Sequence, residues 1–429
     1  MPLKVTIWTV GCRANQADSA RLARYLDGAA VLLSKNEDDC DLVVINTCCV
    51  TAEAERDCRK LARRALRRYP GARVVLTGCA VSAGRDSAWK LGNRVERRGG
   101  GDVDPLELAG WINELAGGST PAAPPRPAFF GRARPLLKVQ SGCDHGCAYC
   151  IVPRARGAPR SLPPELVEEE AALFAEAGYR ELVLTGVQIG AWGRDLTPKR
   201  SLAELVELAA DRFAPGRVRF SSLEPWAVDE RLLEVVGGHP RICPHLHLPL
   251  QSGDDEVLAL MRRGYRGGDF VRLVEAARRN VDGLALGTDV LLGFPGESAG
   301  ALQHTLEVLE TVRPAYVHAF PYSPRPDTPA AGLDAPTPSR GEARRRVRVV
   351  RELSDRLGRE FRAGLIGTRR EILVEQSDER GASGLSEDYV RVAVHCASAT
   401  PGELLAARLE QGWERDRISA VVIERENAP

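Results

Sequence analysis

The run Leu136-Leu-Lys-Val-Gln-Ser-Gly142-Cys143-Asp-His-Gly-Cys147-Ala-Tyr149-Cys150 governs the reading of this chain. Its first half reads as a short strand, and its second half is a Cys-x3-Cys-x2-Cys loop placed directly after that strand. Three thiolates on one short loop can hold three irons of a [4Fe–4S] cluster, because soft thiolates suit iron–sulfur centres. No fourth ligand lies nearby in the sequence, which leaves one iron open to chelate a ligand. A closed four-thiolate site would favour electron transfer alone. A structural zinc site is the alternative, but zinc usually takes four ligands at other spacings.

Outward from this run, strand-like segments recur at 181–185, 218–221, 245–248, 285–291 and 316–320. Helical patterns lie between them, for example at 164–177, 202–211 and 299–312. Six β/α units predict a partial (β/α)6 barrel rather than a complete eight-fold one. Upstream, strands are expected at 5–10, 42–46 and 73–77, with helices at 16–26 and 53–69, which makes a parallel-sheet domain. From Gly117 to Pro135 the composition turns to Gly, Pro, Ser and Ala and reads as a linker. Downstream of an Arg-rich helix near 340–362, the segments 371–375, 389–394, 403–409 and 418–424 look like short strands without a helix, so a small β-barrel is expected. The fold class is therefore α/β, divided as 1–116, 117–135, 136–364 and 365–429.

The chain has 429 residues, 44% hydrophobic and 27% charged, with room for two or three cores. A formal net charge of +1 excludes a global field that would advertise a nucleic-acid partner, so any such contact must come from local patches. No apolar run approaches the roughly 18–20 residues that cross a bilayer, and the first residues lack the features of a signal peptide. A cytoplasmic location with no membrane is expected. The 11 cysteines are an odd number, which favours reduced thiols and metal ligation over a disulfide framework.

Cys12, Cys48 and Cys79 each fall just past a predicted strand of the first domain. Parallel strands end on the same edge, so these three thiols are expected to converge and hold a second cluster. Small buried cysteines are common in such crevices, but three at equivalent positions are hard to assign to packing. Cys40, Cys58, Cys243 and Cys396 have no such placement and read as packing residues. Cys49 follows Cys48, and adjacent side chains at a strand end point apart, so only one of the two should ligate.

The motifs Gly11-Cys12-Arg-Ala-Asn15-Gln16, Asn46-Thr47-Cys48-Cys49-Val50-Thr51 and Thr77-Gly78-Cys79 open a longer series. It continues with Gly142-Cys143 through Arg156-Gly157, His247-Leu-Pro249-Leu-Gln251-Ser252-Gly253 and Gly293-Phe-Pro295-Gly296-Glu297, and ends with Phe320-Pro-Tyr-Ser-Pro-Arg325-Pro-Asp-Thr-Pro329. Across nearly the whole chain this series resembles the radical-SAM methylthiotransferases. The resemblance implies two [4Fe–4S] clusters and two molecules of S-adenosylmethionine (SAM). One SAM is cleaved at the Cys143/Cys147/Cys150 cluster to give a 5′-deoxyadenosyl radical. The other methylates a sulfur held at the Cys12/Cys48/Cys79 cluster. Tyr149 is of the type that flanks the adenine, and the loops after the barrel strands offer Thr185, Gly186, Ser222, Glu224, Gln251, Asp289 and Gly293 as SAM contacts. A polar residue at a strand end can equally be only a helix cap.

Within the family, Pro153-Arg-Ala-Arg156-Gly157, Met261-Arg-Arg-Gly-Tyr265 and the Phe-Pro-Tyr-Ser run look most like the branch acting on threonylcarbamoyladenosine in tRNA. The implied function is insertion of a methylthio group at carbon 2 of N6-threonylcarbamoyladenosine 37. The branch acting on isopentenyladenosine is the alternative, and a two-cluster electron-transfer or redox-sensing module is the rival from another class. The implied partners are the anticodon stem-loop of tRNA and a reducing electron donor such as flavodoxin or ferredoxin. Three features depart from the pattern. Cys49 stands where the branch commonly has Thr, Ala80-Val81-Ser82 replaces an aromatic-containing run, and the TRAM-like tail is acidic. Residues 365–429 carry eight Arg against twelve Asp plus Glu, a balance that does not grip phosphates. The helix at 53–69 is instead basic, with Arg56, Lys60, Arg63 and Arg67 on one face. Residues 340–351 are similarly basic. Solvated helix faces are the plainer reading of both.

Overall fold

The computed structural model describes residues 1–26, 30–33, 40–85, 89–99, 104–119, 133–379, 381–396, 399–414 and 417–425. Most of the expected linker, residues 120–132, lies outside the described residues. The N-terminal region is a parallel sheet of β1 (Leu3–Thr9), β2 (Val31–Leu33), β3 (Leu42–Thr47), β4 (Arg73–Gly78) and β5 (Val95–Arg97), ordered β2-β1-β3-β4-β5. Every residue of β3 is buried, as a central strand covered on both faces requires. Side-chain alternation divides the core: Val43, Ile45, Val74 and Leu76 pack on one face, Val5, Leu42, Val44 and Val75 on the other. Helices α1 (Arg13–Tyr25), α2 (Ala52–Arg68), α3 (Cys79–Ser82) and α4 (Pro105–Leu115) complete the unit. α2 starts where Thr51 accepts the Ala54 N–H. The strand order reverses direction between β1 and β3, the crevice in which doubly wound sheets hold ligands.

All six strands expected in the second region form. β6 (Leu136–Ser141), β8 (Glu181–Gly186) and β9 (Arg217–Phe220) pair in parallel, with the short antiparallel β7 (Arg160–Ser161) at the edge of β6. β10 (His245–His247), β11 (Ala285–Leu292) and β12 (Tyr316–Pro321) form a second parallel set. Single bridges at Val218–Ile242 and Ser222–His247 join β9 to β10. Among the described residues no ladder joins β12 back to β6, so the barrel is open on one side. At that side α1 packs against β6 and β8. α5 (Val152–Arg156) packs against α3 and the core of the first unit, and the outer layer comprises α6 (Pro164–Glu176), α7 (Leu202–Arg212), α8 (Glu230–Gly238), α9 (Asp255–Leu260), α10 (Gly267–Asn280), α11 (Ala299–Val312) and α12 (Arg340–Ala363). No helix among the described residues is long and apolar enough to cross a membrane.

The tail is a closed barrel in the order β13-β14-β15-β17-β16, built from β13 (Arg369–Asp378), β14 (Gly381–Ser386), β15 (Arg391–Val394), β16 (Leu404–Glu414) and β17 (Arg417–Arg425). Tyr389 was expected inside a strand. It lies instead in the turn before β15, with φ +65°, because its ring is drawn toward the partial barrel. There it stacks on His245 at 4.6 Å, and its hydroxyl accepts from Arg13 Nη2 at 2.8 Å. β2, β5 and β14 were not expected from sequence.

The tail's acidity has a structural use. Arg217 and Arg219 of β9 share the fully buried Glu181 carboxylate and donate to tail carbonyls: Arg217 to Glu371 and Leu385, Arg219 to Ser386 and Glu387. Glu375 adds an ion pair with Arg134 at 2.7 Å, and Glu371 and Glu387 each lie 3.7 Å from Arg217. Backbone carbonyls and three acidic side chains, Glu371, Glu375 and Glu387, thus meet cations outside the tail.

Candidate active site

Cys12 follows β1, Cys48 follows β3 and Cys79 follows β4, so the expected convergence occurs at the sheet's reversal point. Gly11 has φ +109°, and a Cβ on it would lie 2.7 Å from the Cys48 Cβ, so only glycine lets these two loops meet. Asn15 organises the trio. Its Nδ2 donates to the carbonyls of Val10 and Thr47, both at 2.9 Å, which fixes the amide so that Oδ1 faces the thiols. That oxygen lies 3.9 Å from Cys12 Sγ and 3.7 Å from Cys79 Sγ. Arg156 closes the group, donating to Asn15 Oδ1 at 2.5 Å and to Cys79 Sγ at 3.3 Å, while pairing with Asp18 at 2.9 Å.

Burial pushes the Cys48 thiol up to about 12, with Cys79 and Cys12 pushing the same way; burial also raises Cys79, against the pull of Arg156. Crowded thiols in this state deprotonate readily only for a bound cation, so the donor set fits an iron–sulfur cluster. Cys49 donates from Sγ to the Cys79 carbonyl at 3.4 Å, and burial raises its thiol, with Cys79 and Cys48 adding to the shift. Cys58, read as packing, sits against the Cys48 backbone and accepts its N–H at 3.2 Å.

The second trio sits on the loop after β6. Gly142 turns the chain at φ +76°, where any Cβ would lie 1.9 Å from the Ala158 carbonyl oxygen. The loop is clamped by Cys143 N–H to Gly157 O (2.9 Å), Ala148 N–H to Met261 O (3.0 Å) and Ala330 N–H to Ala148 O (2.7 Å). Burial pushes Cys143 up to about 11 and Cys150 up to about 12, and neighbouring thiols add to both. Three crowded thiols with no fourth protein ligand among the described residues suit a cluster with one open iron. Arg263 donates to Cys147 Sγ at 3.2 Å and stacks over Trp226, which in turn stacks on His145 at 4.2 Å. Gln140 and Gln188 tie this loop to β8: Gln140 Oε1 accepts the Gln188 N–H at 2.7 Å, and Gln188 Oε1 accepts the Asp144 N–H at 3.2 Å.

The remaining expected residues are distributed around the barrel's upper rim. Tyr149 is half-buried, edge-on to Phe294, with its hydroxyl 3.4 Å from Arg263. Glu224 lies close enough to Cys143 to raise its thiol, and burial raises the Glu224 carboxyl as well. Thr185 and Gly186 end β8, and Ser222 is exposed after β9. Gln251 and Asp289 meet through the backbone, the Gln251 N–H donating to the Asp289 carbonyl at 2.8 Å. Gly293 is set apart: it is buried against Ala343 of α12, and its N–H donates to Glu297. Asn15, Arg156 and Arg263 stand inside the quoted motifs, yet their roles depend on contacts that spacing does not show.

An open β/α barrel with a three-thiol loop after its first strand defines a radical-SAM enzyme, here with an auxiliary thiol site. Residues 137–309 match the radical SAM superfamily, and residues 4–96 match the uncharacterized protein family UPF0004. A threonylcarbamoyladenosine tRNA methylthiotransferase of Thermotoga maritima is 35% identical over 398 residues, covering 90% of each chain. The Bacillus subtilis enzyme of that name is 30% identical, covering 94% of this chain and 93% of its own. A tRNA-2-methylthio-N(6)-dimethylallyladenosine synthase of Herpetosiphon aurantiacus is 32% identical, covering 86% of each chain. Among solved structures, a cobalamin-bound radical SAM methyltransferase from Kitasatospora setae shares the fold at a TM-score of 0.53 and 15% identity, covering 77% of each chain. The chain belongs to the radical-SAM methylthiotransferase family.

Proposed function

We propose that this enzyme replaces the hydrogen on carbon 2 of N6-threonylcarbamoyladenosine 37 in tRNA with a methylthio group. The observation that carries this reading is the coupling of two three-thiol sets. The turn after Cys150 bears Arg156, whose guanidinium touches Cys79. In this reading Cys143, Cys147 and Cys150 hold the cluster that meets SAM, and Cys12, Cys48 and Cys79 hold the auxiliary one. Bound there, the two clusters and SAM supply the electron, the carbon radical, the sulfur and the methyl group that so unactivated a hydrogen requires.

The chain's own residues place these parts. Arg263 steadies the Cys147 sulfur, and Asn15 and Arg156 hold the auxiliary thiols in register. Tyr149, Thr185, Gly186, Ser222, Glu224 and Gln251 form the wall that SAM meets, with Asp289 and Gly293 shaping it from behind. The threonylcarbamoyladenosine-named relatives of Thermotoga maritima and Bacillus subtilis match over 90% and 94% of this chain, against 86% for the dimethylallyladenosine synthase, which favours this substrate over isopentenyladenosine. Mass spectrometry of tRNA nucleosides from a deletion strain tests the assignment. Threonylcarbamoyladenosine should persist without its 2-methylthio form, whereas loss of the methylthio group from isopentenyladenosine alone would overturn it.

The tRNA is gripped through its anticodon stem-loop in the cytoplasm, and a flavodoxin or ferredoxin delivers the electron. On α2, Arg56, Lys60, Arg63 and Arg67 are all exposed, so this face is free to meet phosphates. Arg63→Glu together with Arg67→Glu should weaken tRNA binding about tenfold at low salt and flatten the slope of log Kd against log salt by about 1–2. An unchanged salt series would remove α2 from the interface.

A further inference from the structure

Residues 316, 318 and 320 of β12 share its inner face, while Val317 and Ala319 pack outward into the helical core. The interior of a β/α barrel is ordinarily filled by side chains. Here His318 and Phe320 are each 49% exposed, so two adjacent inward-facing rings border open space.

A chain of hydrogen bonds fixes the state of the neighbouring groups. Asp289 Oδ1 lies 3.0 Å from His247 Nε2 and 3.2 Å from His318 Nδ1. Burial alone would raise this carboxyl, but the two imidazoles outweigh it and hold Asp289 well below the usual carboxylate range. An ionised carboxylate only accepts, so both of those ring nitrogens carry hydrogen. The Tyr316 hydroxyl lies 3.1 Å from His247 Nδ1 and 2.8 Å from His245 Nε2. Having one proton, it donates to His247 and accepts from His245. His318 Nε2 is then left facing the lumen with no partner among the described residues.

The same three side chains, His247, Asp289 and His318, lie close enough to ligate a metal ion. That reading would break both hydrogen bonds to Asp289 Oδ1, which already account for the cluster. A ring held by a carboxylate at Nδ1 leaves Nε2 as the atom open to a ligand.

We propose that His318, backed by Asp289, receives the carboxylate of the substrate's N6 substituent, with Phe320 beside the modified base. This rests on the reading of threonylcarbamoyladenosine as substrate. A threonylcarbamoyl group ends in a carboxylate and a hydroxyl, whereas an isopentenyl group offers only hydrocarbon, which would leave the lumen's polar groups unpaired. Binding takes up a proton from solvent at Nε2, so that the ring donates to Asp289 from Nδ1 and to the substrate carboxylate from Nε2. Asp289 is a positioning residue: it fixes which nitrogen faces the lumen.

The test uses the reconstituted full-length enzyme and anticodon stem-loop RNA bearing threonylcarbamoyladenosine, either as the free acid or as its methyl ester. The wild type should prefer the acid through KM by roughly 10- to 100-fold, the size of a charge-assisted hydrogen bond. His318→Ala should lose that preference, with KM for the acid rising to that of the ester. His318→Lys, which returns a positive charge, should restore part of it. Asp289→Asn should weaken the preference, raising KM for the acid more than KM for the ester. Retention of the full acid preference by His318→Ala overturns the assignment, as does a wild type indifferent to esterification. A wild type that ignores both RNAs but modifies isopentenyladenosine RNA overturns the substrate reading itself. The two failures are therefore distinguishable.

Discussion

Cys79→Ala is expected to separate making the radical from using it. Cys79 is buried at the reversal point, touches Arg156 and faces Asn15 Oδ1. Removing its sulfur leaves two thiols, too few to hold an iron–sulfur cluster in this crevice. The Cys143/Cys147/Cys150 loop is clamped by its own backbone bonds to Gly157, Met261 and Ala330, none of which involves Cys79. The reconstituted variant should therefore carry about half the wild-type iron and still release 5′-deoxyadenosine. The methylthiolated nucleoside should fall at least about a thousandfold, the size of losing a bond-making group. Iron analysis, 5′-deoxyadenosine assay and nucleoside mass spectrometry on one preparation check all three. Retained methylthiolation would remove Cys79 from the ligand set, and lost SAM cleavage would mean that the two centres do not load independently.

The second large effect concerns stability. Glu181 is fully buried between Arg217 and Arg219, whose remaining donors hold four carbonyls of the C-terminal barrel. Burial by itself would raise this carboxyl; Arg219 and Arg217 outweigh burial and keep it well below the usual carboxylate range. Glu181→Gln leaves two buried guanidiniums without a counter-charge, a change that costs about 3–5 kcal/mol and lowers Tm on the order of 10 °C. A carboxyl whose folded pKa is depressed contributes stability above its unfolded pKa of about 4.3 and loses it as pH falls toward the folded value. The Tm gap between wild type and variant should therefore be full at pH 7 and shrink progressively below about pH 4. A gap that holds constant down to pH 3, or no gap at pH 7, would show that the carboxylate charge is not what holds the tail.

Much of the architecture was legible in the sequence because the signals were local. The six barrel strands are apolar runs with helical patterns between them. Cys12, Cys48 and Cys79 could be expected to converge because ends of parallel strands share an edge. β2 and β5 escaped notice because a three-residue edge strand carries almost no periodic signal. β14, Gly-Ala-Ser-Gly-Leu-Ser, reads as a loop and is a strand only because barrel closure supplies partners on both sides. Tyr389 went the other way: strong intrinsic strand preference gave way to stacking on His245. The charged triad of Glu181, Arg217 and Arg219 looks like a solvated strand face until the tail covers it. Asn15 and Arg156 were visible as motif letters, but their grip on the thiols joins residues far apart in the chain and belongs to tertiary structure alone.

Arg156 also sets an order of events during synthesis. The three thiols of the first domain are complete once Cys79 has been made, and its last strand follows at Val95–Arg97. The guanidinium that neutralises Asp18 and donates to Cys79 is incorporated only later. At about 5–20 residues per second the interval is roughly 4–15 s. Throughout it the nascent auxiliary thiols have no cationic cover, and Ile151 and Ala155 have yet to seal the core beside them. The newborn chain therefore passes through a stage in which this crevice is open from the side that the finished enzyme keeps shut. The length of that stage is set by the translation speed between Cys79 and Arg156.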